Sequence, residues 1–390
     1  MSGYSEDALV EQPAIKLLKE LGWETVRNQD LNRETQSDSI LTARLRPALK
    51  RLNPEATLEA MDQAIAEITR DRSQMSMVAA NREVYHLLKN GVRTTVAAAE
   101  NDGETVEIVR VIDWDEPANN DLLLCSQFRI NGEMHTRRVD LVGFVNGLPL
   151  VLIELKAVHR RLETAYKDNL RDYKDTVPHL FWANALIILS NGSESRVGSI
   201  TAEWEHFAEW KKVGSESEEG RVSLETMLRG VCTPARLLDL VENFTLFQDA
   251  AGGTIKLTAK NHQYLGVNNA LEKLRHDHRL GVFWHTQGSG KSVSMMFFAQ
   301  KVLRKVPGNW TFVIVTDRRE LDGQIYKHFA ASGVVTEGSA QATSSQHLRQ
   351  LLGEDHRYIF TLIHKFRTAM GTLHPVLSER SDIIAAPRCA

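Results

Sequence analysis

Residues 137–156 read RRVDLVGFVNGLPLVLIELK, two aliphatic and β-branched runs on either side of Asn146-Gly147. Asn-Gly tolerates the positive φ angles of a tight hairpin turn, so the stretch predicts two paired, buried strands. Three charges interrupt it: Asp140 in the first run, Glu154 and Lys156 in the second. An unpaired carboxylate in an apolar interior is costly, so these charges must meet one another or a cation. Side chains two apart on a strand share a face, which puts Glu154 and Lys156 with Leu150 and Leu152. Asp140 joins them only if the connection has odd length. A loop of Asn146, Gly147 and Leu148 sets Asp140 across from Glu154, and that loop is the expectation.

Two acids and one ammonium leave an excess of negative charge. A structural ion cluster around Lys156 is the plainer outcome, but a divalent cation offsets the excess better. Oxygen ligands of this kind suit Mg²⁺, which keeps several waters and can bridge a scissile phosphate. The arrangement resembles the PD-(D/E)xK nuclease core, with Val139 where the name has Pro. The resemblance implies Asp140 and Glu154 as metal ligands and Lys156 as the residue that orients or activates water. It also implies an acid on a preceding helix, for which Glu11 is the candidate. In the RecB-like branch a Gln-x-x-x-Tyr pair follows on a helix. Asn169 and Tyr173 occupy those positions, one helical turn apart, and Tyr173 completes the catalytic set. His159, Arg160, Arg161, Lys167, Arg171 and Lys174 give the adjacent region a basic surface suited to DNA phosphates.

The second constellation is HTQGSGKS, residues 285–292. GVFW ahead of it reads as a strand and KSVSMMFFAQKVLRKV after it as a helix, the setting of a phosphate-binding loop. Backbone N–H groups from Gly288 through Ser289 and Gly290 to Lys291 would ring a β-phosphate, with Thr286 in the same loop. Lys291 would reach the β- and γ-phosphates and Ser292 would ligate Mg²⁺. His285 replaces the first glycine of the strict pattern. HTQGSGKS resembles the first motif of superfamily 2 helicase-like motors in restriction enzymes. On that resemblance, Gln263 in KNHQYLGVNNALEKL meets the adenine edge of ATP. IVTDRRELDGQ, with Asp317 and Arg318, and FTLIHKF, with Lys365 and Phe366, resemble later motor motifs.

The remaining pattern supplies two settings for these motifs. Helical periodicity near the N-terminus ends at Gly22, and residues 41–92 also look helical. Short β-rich runs follow, then LETAYKDNLRDYKD as an amphipathic helix, ANALIILSNG as a strand and AEWEHFAEWKKV as a helix. Beyond Ala251-Gly252-Gly253 strands and helices alternate, as in a parallel sheet covered by helices. The expectation is an α+β PD-(D/E)xK nuclease domain over 1–250 and an α/β RecA-like P-loop domain over 251–390.

In this order the two halves resemble the restriction (R) subunit of type I restriction-modification enzymes, a resemblance that covers nearly all of the 390 residues. It implies Mg²⁺ and ATP as cofactors, double-stranded DNA as substrate, and separate methyltransferase and specificity subunits as partners. At SDIIAAPRCA the family would place a strand leading to an Asp-Glu-Ala-His box, and neither acid is there. The chain therefore reads as an N-terminal fragment with weak ATP binding and no sustained hydrolysis.

A net charge of -3 supplies no global basic field, so DNA binding must rest on local patches. Three scattered cysteines argue against a disulfide framework and a Cys-based zinc site, and neither a membrane-length apolar run nor a leader pattern is visible, which points to the cytoplasm. The alternatives are an assembly piece that is catalytically silent alone, or another ATP-linked nuclease such as a repair exonuclease.

Overall fold

The structure, a computed structural model, describes residues 10–97, 103–277, 281–283, 285–335, 341–367 and 376–388. Two compact units divide the chain: Met1–Thr245 with Thr254–His262, and Leu246–Gly253 with Gln263–Ala390.

The first unit opens with α1 (Gln12–Glu20), β1 (Glu24–Arg27), α2 (Thr42–Leu52), α3 (Leu58–Thr69) and α4 (Met77–Asn90). Side-chain oxygens of Thr57 and Ser76 accept from Ala60 N and Ala79 N, capping the N-termini of α3 and α4. The ribbon β2 (Val92–Ala97) and β3 (Glu104–Val109) precedes the long strands β4 (Leu122–Asn131), β5 (Thr136–Val145) and β6 (Leu148–Leu155). Then come α5 (Arg171–Thr176), β7 (Leu186–Ser190), β8 (Ser195–Gly198), β9 (Ala208–Glu209), α6 (Leu224–Val231) and α7 (Pro234–Asn243); after them β10 (Thr245–Ala250) has residues 246–250 in the second unit, and β11 (Gly253–Thr258) returns to the first from Thr254.

Seven strands form one mixed sheet in the order β1-β4-β5-β6-β7-β8-β9. The β1–β4 and β6–β7 pairs are parallel and the others antiparallel. Every residue of β6 is buried, as expected of a strand covered on both faces. Phe128, Phe144, Leu152, Leu170 and Phe181 belong to the core cluster that packs the sheet.

The hairpin corrects one expectation. Asn146 (φ 51°) and Gly147 (φ 81°) make a two-residue turn, with Val145 paired to Leu148, rather than the three-residue loop. Parity changes further on instead. Phe144 pairs with Pro149 but Gly143 pairs with Val151, so Leu150 is an extra residue bulged out of β6. Pro149 lacks a ladder N–H and suits such a break, while the Leu150 carbonyl accepts from Ala185 N at 2.8 Å. Continued at this register, Asp140 stands across from Glu154.

AEWEHFAEWKKV is a second correction. Its segment forms a 3₁₀ turn at Trp204–His206 and the short β9, not a helix. LETAYKDNLRDYKD is helical but begins as a π-helical turn, Ala165–Leu170, before α5.

The second unit contains α8 (Asn261–Asp277) from its third residue on, followed by α9 (Lys291–Lys305), β12 (Thr311–Thr316), α10 (Arg319–Ala331), α11 (Ser345–Gly353), β13 (Tyr358–Leu362) and β14 (Ile383–Arg388). Strands β12, β13 and β14 form a parallel sheet in the order β13-β12-β14, with β12 and β13 buried throughout. Pro387 is tolerated because β14 is an edge strand. The GVFW strand is not found: residues 281–283 have no regular structure and Val282 is exposed, while Trp284 lies outside the described residues. Within SDIIAAPRCA, residues 383–388 form β14. Among the described residues no helix is long and apolar enough to cross a membrane.

Candidate functional site

Asp140, on β5, is 8% exposed, and Glu154, near the end of β6, is 1% exposed. Leu155 N–H donates to Asp140 Oδ2 at 2.8 Å, fixing that carboxylate against the neighbouring strand. Lys156 Nζ donates to Glu154 Oε1 at 3.1 Å. Tyr173 Oη lies 3.1 Å from Glu154 Oε2 and 2.9 Å from the Arg138 carbonyl, two acceptors for its one proton. The four side chains named from the sequence are thus brought to one place by the register shift at Leu150 and by α5. Arg137 on β5 grips both oxygens of Asp172, which holds α5 on the sheet and Tyr173 over Glu154.

Burial, reinforced by the charge of Asp140, pushes the Glu154 carboxyl up to about 8, although Lys156 and Tyr173 favour its anion. Burial and the same two acids push the Tyr173 phenol up, so it stays a proton donor. Asn169 Nδ2 donates to Tyr173 Oη at 3.5 Å and reaches the site only through it.

An open cleft of about 830 Å³ leads to Asp140, lined also by Glu11, Gln127, Arg27, Arg129 and Arg138. Glu11, 7% exposed at the start of the first helix, accepts from Gln127 Nε2 at 2.7 Å. Gln127 was missed by sequence reasoning. Its φ of 56° is rare for a residue with a side chain, and it interrupts β4 between Ser126, paired with Leu141, and Phe128, paired with Val139. No sequence signal announces a left-handed glutamine. Among the described residues, no three His, Cys, Asp or Glu side chains group as a metal-holding set.

The basic stretch beyond the hairpin is partly committed elsewhere. Lys167 pairs with Glu163 at 2.8 Å, and Arg171 lies over the Tyr166 ring and 3.8 Å from Glu203. Burial pushes the Lys174 ammonium down to about 8. His159, Arg160 and Arg161 are exposed.

In the second unit the HTQGSGKS loop delivers its chain to the N-terminus of α9. Gly288 and Gly290 have φ of 78° and 83°, and Gly290 is the cap residue, so no side chain occupies the helix end. Lys291 Nζ donates to the His285 carbonyl at 3.1 Å, folding back across the loop. Thr286 and Gly288 are exposed, while Ser289, Gly290, Lys291 and Ser292 are half-buried. Gln263 is buried on α8 and its Nε2 donates to the Gly290 carbonyl at 3.2 Å, so it contacts the loop itself. A side chain on Gly290 would meet that Nε2 at 2.8 Å. Arg318 precedes α10, and the Lys365 ammonium donates to the Ala342 carbonyl.

A mixed sheet carrying paired carboxylates and a lysine, followed by a parallel-sheet unit with a glycine loop at a helix N-terminus, fits a nuclease-then-helicase-like order. Residues 3–206 match the family model for the type I restriction enzyme R protein N terminus, and residues 262–386 that for the SWI2/SNF2 ATPase. The chain belongs to the type I restriction enzyme R protein N-terminal family. It is 35% identical to the type I restriction enzyme HindI endonuclease subunit of Haemophilus influenzae, over 96% of this chain and 38% of that one. Identity is 30% to the putative type I restriction enzyme MjaIXP endonuclease subunit of Methanocaldococcus jannaschii, over 97% and 39%. The chain therefore spans about two-fifths of the length of these curated relatives.

Proposed function

We propose that this chain carries the nuclease, and the first part of the ATP-driven motor, of a type I restriction endonuclease subunit. The first unit is read as a RecB-like PD-(D/E)xK nuclease over roughly residues 1–250, acting on double-stranded DNA. The second is read as a RecA-like P-loop domain that binds ATP through Thr286, Gly288, Ser289, Gly290, Lys291 and Ser292, with Gln263 behind the loop. Methyltransferase and specificity subunits are the partners that go with this reading, and the cytoplasm its setting.

One observation carries it: the pairing register that sets Asp140 across from Glu154 with the Lys156 ammonium 3.1 Å from Glu154. The donor set fits Mg²⁺, because both acids offer hard oxygen ligands and this ion fills its other positions with water. Asp140 and Glu154 would hold it, and its charge would favour the Glu154 anion that burial alone disfavours. Bound there, Mg²⁺ supplies Lewis-acid stabilisation of charge on the scissile phosphate. Lys156 steadies the attacking water beside Glu154. Tyr173 orients the Glu154 carboxyl and closes the site on the side of α5.

Supercoiled plasmid incubated with the chain and Mg²⁺ tests this. Nicking is expected in the parent, with a loss of roughly 100-fold or more in Glu154→Ala and in Lys156→Ala. Equal nicking by parent and Glu154→Ala overturns the reading.

A further inference from the structure

The cleft that leads to Asp140 has a basic wall that the carboxylate chemistry does not use. Arg27, Arg129 and Arg138 line it from β1, β4 and β5, three strands that are neighbours in the sheet. Arg129 and Arg138 are direct cross-strand partners, and Arg27 pairs with Ser126, three residues earlier on β4. Like charges set opposite each other destabilise an antiparallel pair unless something offsets them. Arg44 and Arg137, also on this unit's surface, each have a carboxylate partner. Among the described residues, none of the three cleft arginines forms an ion pair or donates a side-chain hydrogen bond, and all three are exposed.

We infer that Arg27, Arg129 and Arg138 form a phosphodiester-binding rim that holds the backbone of a DNA duplex against the carboxylate site. The inference rests on the nuclease reading above and names the surface by which that site takes its substrate. Guanidinium groups bind phosphate through paired N–H donors, which suits an anion arriving from solvent. Cross-strand neighbours lie about 5 Å apart and three residues of strand cover about 10 Å, so the rim spans two or three successive phosphates of one DNA strand. Phosphate contacts position a duplex without reading it, so the rim binds duplexes irrespective of sequence. The helical stretch that the sequence favours for this role has its charges engaged with Glu163, Tyr166 and Glu203.

Fluorescence anisotropy of a labelled duplex, with Ca²⁺ in place of Mg²⁺ to prevent cleavage, tests the assignment on the full chain. Arg129→Gln with Arg138→Gln is expected to raise Kd about tenfold or more and to reduce the slope of log K against log salt by about two. Arg27→Gln alone lowers that slope by about one, and reads the rim independently if the double variant unfolds in a thermal melt. Arg129→Lys with Arg138→Lys keeps most of the affinity, and two duplexes of unrelated sequence bind alike. Lys167→Gln with Arg171→Gln shifts Kd by less than about threefold. Parent-like binding by the Gln variants overturns the inference, as does a loss that falls on the Lys167 and Arg171 pair instead. The nuclease reading fails separately, if Glu154→Gln nicks plasmid like the parent; loss of nicking in Glu154→Gln with unchanged binding in the arginine variants removes only the rim.

Discussion

Glu154 faces Asp140 from the adjoining strand and is almost wholly buried, and these two facts decide its protonation. Its carboxyl ordinarily titrates at 4.5 but is pushed up to about 8, by burial first and by Asp140 second. The folded chain therefore holds a proton between those values that the unfolded chain releases. Stability from this group is fully present below pH 4.5 and is lost as pH rises through about 8. Melts in chelator should show Tm falling across that window, with a flatter profile in Glu154→Gln; parallel profiles would refute the account. Lys256 works in the opposite sense. Its buried Nζ donates to Asn81 Oδ1 and the Asn184 carbonyl, and burial pushes it from 10.5 down to about 7. The penalty for folding is then full below pH 7 and fades as pH rises toward 10.5, so stability climbs over that range. Lys256→Met should flatten this upper window whatever its effect on Tm at pH 7, which urea titrations at several pH values would measure.

The hairpin joins sequence to site most directly, and its turn can be tested by one methyl group. Gly147 has a φ of 81°, and a Cβ there would lie 2.4 Å from the Leu41 carbonyl oxygen. Gly147→Ala should therefore cost roughly 2–3 kcal/mol in urea unfolding. Gly103→Ala, which meets nothing within 4 Å, should stay within about 0.5 kcal/mol. The turn was legible because Asn-Gly encodes it locally. The odd parity that sets Asp140 across from Glu154 was expected for the wrong reason, since the extra residue is Leu150 and its carbonyl is claimed by Ala185, thirty-five positions on. Long-range pairing of that kind leaves no periodic trace. AEWEHFAEWKKV failed similarly: its apolar spacing mimics a helix, but Phe207 and Trp210 are buried in a chain that runs as a short edge strand. Gln127 was illegible because glutamine has no intrinsic preference for the left-handed backbone it adopts within a strand.

The carboxylate pair and the glycine loop belong to different compact units and share no residue, although the chain runs through both. Sites assembled in this way should respond to substitution independently unless binding at one alters the other. Lys291→Ala removes the ammonium that folds across the loop, and should weaken a fluorescent ATP analogue by about tenfold or more while leaving Mg²⁺-dependent nicking within about twofold. Glu154→Gln should do the reverse, abolishing nicking at unchanged nucleotide affinity. The double variant should then show the two losses and nothing further. A deviation from additivity larger than about 0.5 kcal/mol, equivalent to more than a twofold change in either measurement, would mean that nucleotide occupancy is felt at the carboxylates. In that event the second unit of this chain would regulate cutting as well as bind ATP, and the two parts of the proposed function would have to be treated as one.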